Sequence, residues 1–363
     1  MHGQISNTKE EFALPTSLNE SSGIIFLNDK LITHNDSGGQ NELYELDLDT
    51  EMVIRTITIT NATNVDWEDL AQDNTHIYIG DFGNNDGSRT DLKIYKVLKS
   101  DVSSSTSVTA EIINFSYADQ SDFTSNPQNT EWDAEALISL NTSELVLISK
   151  NWVSGTSKAY TIPKAPGTYS LSPLSTSLTN AGLIAGGTYN TLSGKIYLVG
   201  YTAPVLPNPL EPFVWVCEGF SGNDIFSGTN TQTVLSPTFG FEQTEAITFT
   251  NENNFYMTSE AFSVSVISDY AKLISFSTSD AVLSNPDIES GTHNIVLSPN
   301  PVSDVLNIDA ATITSVEIFN VQSAKLYQGI GLAIDMSVYK SGVYLVKVNF
   351  DDNTSLVKRV IKQ

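Results

Sequence analysis

The sequence predicts an all-β chain: a β-propeller of five blades, with six as the alternative, followed by a small β-sandwich. Three observations lead there. An acidic residue opening an apolar strand recurs four times, at Glu20-Ser21-Ser22-Gly23-Ile24, Glu68-Asp69-Leu70, Glu135-Ala136-Leu137 and Glu245-Ala246-Ile247. A second apolar run follows each, as in Leu31-Ile32-Thr33-His34, His76-Ile77-Tyr78-Ile79, Leu145-Val146-Leu147-Ile148 and Asn254-Phe255-Tyr256-Met257. Finally, the last seventy residues break into short β-type runs separated by Gly, Asn, Asp and Pro.

The spacing sets the blade count. Glu20 to Glu68 is 48 residues, Glu68 to Glu135 is 67 and Glu135 to Glu245 is 110, the length of two units. A degenerate copy, Leu183-Ile184-Ala185-Gly186-Gly187-Thr188-Tyr189, fills that long gap, with Lys195–Val199 as its second strand. Units of this length holding several strands each are what propeller blades require. The first two blades show four strand-like runs: Gly23–Leu27, Lys30–His34, Glu42–Leu48 and Val53–Thr60, then Glu68–Ala71, His76–Gly80, Leu92–Val97 and Glu111–Tyr117. The fifth shows only three, ending near Ser277. The spare run at Glu11-Phe12-Ala13-Leu14 can supply its fourth and close the ring. The propeller is therefore expected over residues 1–278, a polar linker over 279–293 and the sandwich over 294–363.

Charge is shared unevenly. Residues 294–363 hold six acids and six bases, so the whole net charge of −24 falls on residues 1–293. A domain that acidic repels phosphate backbones and anionic lipid, which argues against nucleic-acid binding. Cations, neutral glycans and basic proteins are the partners it suits. Cys217, the only cysteine, lies in the apolar run Phe213–Cys217 and reads as a buried, inert thiol. No run approaches membrane-spanning length. Met1-His2-Gly3-Gln4 lacks the charged start and apolar run of a signal peptide, so a mature or recombinant form is expected.

In a propeller, the first strand of each blade lines the channel and its start shares a face with the end of the second. The ligand-binding candidates are therefore Glu20, Glu68, Glu135 and Glu245 at strand starts, with Asp36, Asp81, Lys150 and Glu260 at strand ends. Packed carboxylates raise one another's pKa unless a cation sits among them, and oxygen-only donors favour Ca²⁺ over zinc. Glu68, Glu135 and Glu245 are the expected metal ligands. The plainer alternative is architectural, with each Glu tying one blade to the next. Trp67, Trp132 and Trp152 fall near the same face, as sugar-stacking platforms or as packing. The loop Gly80–Asp91 has calcium-loop composition but fails EF-hand spacing: with Gly87 at position six, Phe82 and Lys93 occupy the acid positions. It reads as a Gly/Asn turn. No nucleophile–base pair, phosphate loop or zinc spacing appears.

The tail carries motifs in order: Leu297-Ser298-Pro299-Asn300-Pro301, then Ser315-Val316-Glu317-Ile318-Phe319-Asn320, Gly342-Val343-Tyr344-Leu345, and the basic close Lys358-Arg359-Val360-Ile361-Lys362. This order resembles the type A C-terminal sorting domain of the type IX secretion system in Bacteroidetes. The resemblance implies docking on the outer-membrane secretion machinery, removal by a sortase, and surface attachment or release. Asp66-Trp67-Glu68-Asp69 and Gly80-Asp81-Phe82-Gly83-Asn84-Asn85 also look like fragments of propellers in other secreted Bacteroidetes proteins. The expected function is a secreted or cell-surface binding module, an adhesin or a glycan- or protein-recognition domain. A calcium-dependent hydrolase of phosphatase or glycosidase class, with its site at the channel mouth, is the alternative.

Overall fold

The structure is a computed structural model describing residues 5–203, 209–264, 267–279, 295–310, 313–320, 324–351 and 355–363. The chain is all-β and divides into two compact units, Met1–Ala281 and Val282–Gln363. All but residue 279 of the expected linker lies outside the described residues.

The first unit holds five main sheets. Sheet one is Ser21–Leu27, Lys30–Asn35, Glu42–Asp47 and Met52–Ile59; sheet two is Trp67–Gln72, His76–Asp81, Lys93–Leu98 and Glu111–Tyr117. Sheet three is Asp133–Ser139, Glu144–Lys150, Ser157–Pro163 and Pro173–Leu178; sheet four is Leu183–Asn190, Lys195–Tyr201, Pro212–Glu218 and Thr229–Val234. Within each of these four, neighbouring strands run antiparallel in chain order, as short connections dictate. Sheet five is Gln243–Phe249, Asn254–Glu260 and Lys272–Ser277, completed by the N-terminal strand Ser6–Ala13 against Lys272–Ser277. Two added edge strands were not foreseen. Ser107–Val108 and Gly167–Leu171 add in parallel to the outer edges of sheets one and two, each from the connection between the third and fourth strands of the following sheet.

The first strand of each sheet packs against the first strand of the next, and that of sheet five returns to that of sheet one. Apolar side chains fill the spaces between successive sheets, for example Ile57, Trp67 and Ile79 between sheets one and two. Ala136, Ile148 and Leu198 do the same between sheets three and four. Cys217 belongs to that core, and burial pushes its thiol up to about 12, which removes it as a nucleophile.

Every inner strand carries a β-bulge at one equivalent place. The register slips between Ser21 and Ile24, Trp67 and Leu70, Ala134 and Ala136, Ile184 and Gly186, and Thr244 and Ala246. The residues caught there are Ser22, Glu68, Glu135, Ala185 and Glu245. A bulge re-aims a side chain without ending the strand, and here it turns one residue per sheet toward the centre. Gly186 beside Ala185 is needed for close approach: a Cβ there would lie 2.3 Å from the carbonyl oxygen of Glu245.

The second unit has a three-stranded sheet, Val296–Ser298, Val305–Asp309 and Ala333–Asp335. Its four-stranded sheet orders Lys325–Gly329, Ile313–Asn320, Gly342–Phe350 and Ser355–Lys362. Both contribute to one apolar core through residues such as Leu306, Ile308, Val316, Val346 and Val360. The Pro-Asn-Pro opening has a mechanical role in this unit. Asn300 donates from Nδ2 to the Arg359 carbonyl (3.0 Å) and accepts from the Ile361 N–H (2.9 Å), while Val302 N–H bonds the Ile361 carbonyl. The opening thus covers part of the outer edge of the last strand, an edge that would otherwise template association.

Candidate functional site

The bulged Glu68, Glu135 and Glu245 meet side chains from loops and second-strand ends around a cavity of about 140 Å³. Its lining includes Asp36, Lys150, Trp152, Tyr201 and Glu260, together with Gln243, Asn85 and Gln128. Sheet four gives no acid at its bulge, and Tyr201 from its second strand fills part of that side.

Charge is arranged asymmetrically. Lys150 is 6% exposed, with Nζ 3.2 Å from Glu135 Oε1. The same ammonium sits 5.2 Å from the Trp152 ring centroid and 5.3 Å from that of Tyr201, within cation–π range. Glu245 accepts from Gln243 Nε2 (3.1 Å), and that amide also bonds Glu260. Asp133, which sequence reasoning left out, accepts from Asn84 N–H (2.6 Å) and Trp152 Nε1 (2.7 Å).

On the other side, oxygens of Asp36, Asp66 and Glu68 lie within 4.8 Å of one another, and so do those of Glu68, Asp133 and Glu135. No ion pair reaches Asp36, Asp66 or Glu68 among the described residues. Desolvation, then Asp66 and Glu245, pushes Asp36 up to about 8, and desolvation with Asp133 pushes Asp66 up to about 6. Burial and the neighbouring Glu135 carboxylate drive Glu68 well above the usual carboxylate range. Burial also raises Glu135, against the pull of Lys150. Carboxylate oxygens of Glu68 and Glu135 lie within 4.8 Å of each other, close enough for the two groups to interact directly. Gly83 leaves the room this needs, since a Cβ there would fall 1.9 Å from Glu68 Oε1 and 2.5 Å from Asp66 Oδ2.

Several expected site residues stand elsewhere. Trp67 is wholly buried, donates from Nε1 to the Thr63 carbonyl and meets His34 edge-on, so it is core and no platform. Glu20 is exposed in the turn before sheet one, and the bulge position belongs to Ser22. Asp81 is buried but engaged by Arg89 Nη2 at 2.9 Å, which fixes the Gly80–Asp91 loop. Trp132 lies outside the cavity, with Nε1 bonded to Asp119. Of the three expected metal ligands, Glu245 falls outside both close carboxylate groupings, while Asp36, Asp66 and Asp133 fall within them. Asp69 is the residue that sequence reasoning missed altogether. Fully buried, it accepts N–H bonds from Leu70 (2.8 Å), Leu137 (2.9 Å) and Gly187 (3.1 Å), tying sheets two, three and four together.

Exported proteins carrying a C-terminal tail domain form the class to which the second unit points. Residues 297–363 match the family model for the secretion system C-terminal sorting domain, the domain read by the type IX machinery. The chain is therefore destined for the cell surface or for secretion, and its tail interacts with that machinery. Among the described residues, no helix is long and apolar enough to cross a membrane. No curated protein matches the chain. Among solved structures, hydrazine synthase of Kuenenia stuttgartiensis aligns at 13% identity over 96% of this chain and 97% of that one, with a TM-score of 0.35. The extracellular domain of a putative hybrid two-component system from B. thetaiotaomicron aligns at 12% identity, covering 94% of this chain and 44% of that one, with a TM-score of 0.29. Likenesses this slight tie neither protein's activity to this chain.

Proposed function

We propose that the first unit is a five-bladed β-propeller acting as a secreted or surface-displayed binding module, with Ca²⁺ at its acidic mouth, and that the second is a sorting β-sandwich. The cyclic packing of five inner strands and the completion of sheet five by the N-terminal strand support the propeller. Two sheets sharing one core support the sandwich. The observation that carries the calcium reading is the grouping of Asp36, Asp66 and Glu68, which is buried or half-buried and makes no ion pair among the described residues. Three carboxylates, with neutral oxygens available from Asn85 and Gln128, make a hard-oxygen donor set. Lys150 already neutralises the Glu135 side, so the ion belongs on the Glu68 side.

Calcium should raise the melting temperature more than sodium chloride of equal ionic strength, and chelator should reverse the gain. A cation bound only to the folded form contributes roughly 2.7 kcal/mol at a hundredfold excess over its Kd. Asp36→Asn combined with Glu68→Gln should abolish the difference, whereas melting that ignores both calcium and chelator would make these carboxylates architectural. The pH trend is a second readout. Asp36 and Asp66 are held protonated in the fold at pH values where the unfolded chain ionises them. The folded state then binds more protons, so metal-free stability falls as pH rises, for Asp36 from about 4 toward 8. His34, buried neutral with its pKa lowered to about 4, works in the opposite sense only below about 6.5. Melting scans from pH 6.5 to 8 should fall without calcium and flatten with it.

A hydrolase remains the second reading because of the Glu68–Glu135 pair. Two neighbouring buried carboxyls, both held above the usual carboxylate range and one paired with a lysine, are suited to general acid–base work. A phosphatase and glycosidase panel decides between the two readings: turnover that disappears in Glu135→Gln favours the enzyme, and saturable binding without turnover favours the module. Export has its own test. A chain ending at Gly291 should accumulate in the periplasm, and normal surface delivery of that truncation would remove the tail's assigned role.

A further inference from the structure

A second cavity of about 240 Å³ lies beside the first, lined by Asp86, Gly87, Asp122, Thr124, Asn126, Asn129, Thr130 and Trp132. The two share a wall. Asn85 and Gln128 line the acidic cavity, their chain neighbours line the second, and the wall is closed by Gln128 N–H donating to the Asn85 carbonyl at 2.8 Å. Further backbone bonds, Asn126 N–H to the Asp86 carbonyl and Gly87 N–H to the Asn84 carbonyl, hold the rim in place. This segment is well tethered rather than a loose loop.

Each cavity alone falls short of the about 300–1,000 Å³ typical of ligand pockets, and together they reach it. The second is lined by carboxylates, carboxamides, threonine hydroxyls and one half-buried indole. Carboxylates and amides exchange hydrogen bonds with hydroxyl groups, and an indole packs on the apolar face of a sugar ring. Asn126 and Asn129 are exposed, and among the described residues neither side chain makes a hydrogen bond. The formal charge of −24 works against uronates and sulfated chains.

We infer that the two cavities are adjoining subsites for one oligosaccharide, free of carboxylate and sulfate groups and preferring amines, with Trp132, Asp86, Asp122, Asn126 and Asn129 forming the outer subsite. This rests on the binding-module reading of the first unit, and it adds a second subsite and a ligand class.

The test is calorimetric titration of the full chain with a glucosamine hexamer, cellohexaose and an oligogalacturonate of equal length. Saturable binding should rank in that order, with none for the oligogalacturonate. Trp132→Ala should weaken binding by at least about tenfold, the equivalent of about 1.4 kcal/mol. Because Trp132 also packs against the core, Asn126→Ala combined with Asn129→Ala is the second variant; it should weaken binding with an unchanged melting temperature. Binding of none of the three sugars, binding untouched by the double asparagine variant, or preference for the oligogalacturonate would each overturn the inference. Failure of the calcium site shows separately, as melting that ignores chelator while the sugar titrations still respond to Asn126 and Asn129.

Discussion

Lys150→Met should cost about 3–5 kcal/mol of folding stability at neutral pH, the penalty for leaving buried charges uncompensated. The ammonium is the only cation paired with Glu135 among the described residues, and it also acts on Glu245 and Asp133. Methionine keeps most of the side-chain volume but supplies no charge over the Trp152 and Tyr201 rings. The carboxylates would then take up protons instead of remaining ionised, so the variant should recover stability in acid. The sign belongs to the acids. The pKa of Lys150 is held above its usual value, so its own contribution is intact throughout pH 5 to 8 and fades only above about 10.5. Adding Glu135→Met to Lys150→Met should return part of the loss, because a charge-free pair costs less than half a pair. Urea unfolding at pH 5.5 and pH 8 measures all of this. A single variant within about 1 kcal/mol of wild type at pH 8 would mean that water or ions reach the cluster freely.

Asp69→Ala should be comparably damaging for a different reason. Its carboxylate is the acceptor for three buried backbone N–H groups on three sheets. Burial raises its pKa, against the lowering pull of those three bonds. Alanine strands all three donors at about 1–3 kcal/mol each, so a loss beyond about 3 kcal/mol is expected. Asp69→Asn keeps one acceptor oxygen but turns an NH₂ toward a donor, and should fall between the two. Hydrogen exchange at Leu137 and Gly187 is the local readout. If both amides stay protected in Asp69→Ala, buried water has replaced the carboxylate.

The placement of Glu68, Glu135 and Glu245 was legible because a repeat betrays itself through recurrence, and their bulges lie where the Glu-x-Leu/Ile frame put them. The same frame would have pointed to Ser22-Gly23-Ile24 in sheet one. Following the acid instead led to Glu20, two residues early and in solvent. Asp69 left no recurrent trace, since the matching slots hold Gly23, Ala136, Gly186 and Ala246. A carboxylate in a slot otherwise reserved for the smallest side chains was itself a signal, because only an acid satisfied by backbone fits there. Trp67 and Trp152 could not be separated from sequence: both flank a strand at the same end, and only the packing of sheets one and two decides that Trp67 points inward. Asp66 and Asp133 were passed over because each lies two residues before its bulged glutamate, outside the recurrent frame: Asp66 just ahead of its strand and Asp133 at the first position of its own. The supporting role of Arg89 depends likewise on how the Gly80–Asp91 loop turns back.

The N-terminal strand of sheet five gives the first unit a seam. Ser6–Ala13 is held to Lys272–Ser277 by ladder bonds and by side-chain contacts such as Glu11 with Ser275, across a separation of 264 residues. Every other strand in that sheet has its partner nearby in the chain. Such a distant pairing forms late and slowly, after the loop entropy of the whole unit has been spent. Until then the edge of Lys272–Ser277 stays open, and a second copy offering the same strand could close it instead. For an exported protein, zippering between copies is therefore the failure to expect, and a tensile load applied at the N-terminal end would part the first unit at this seam first.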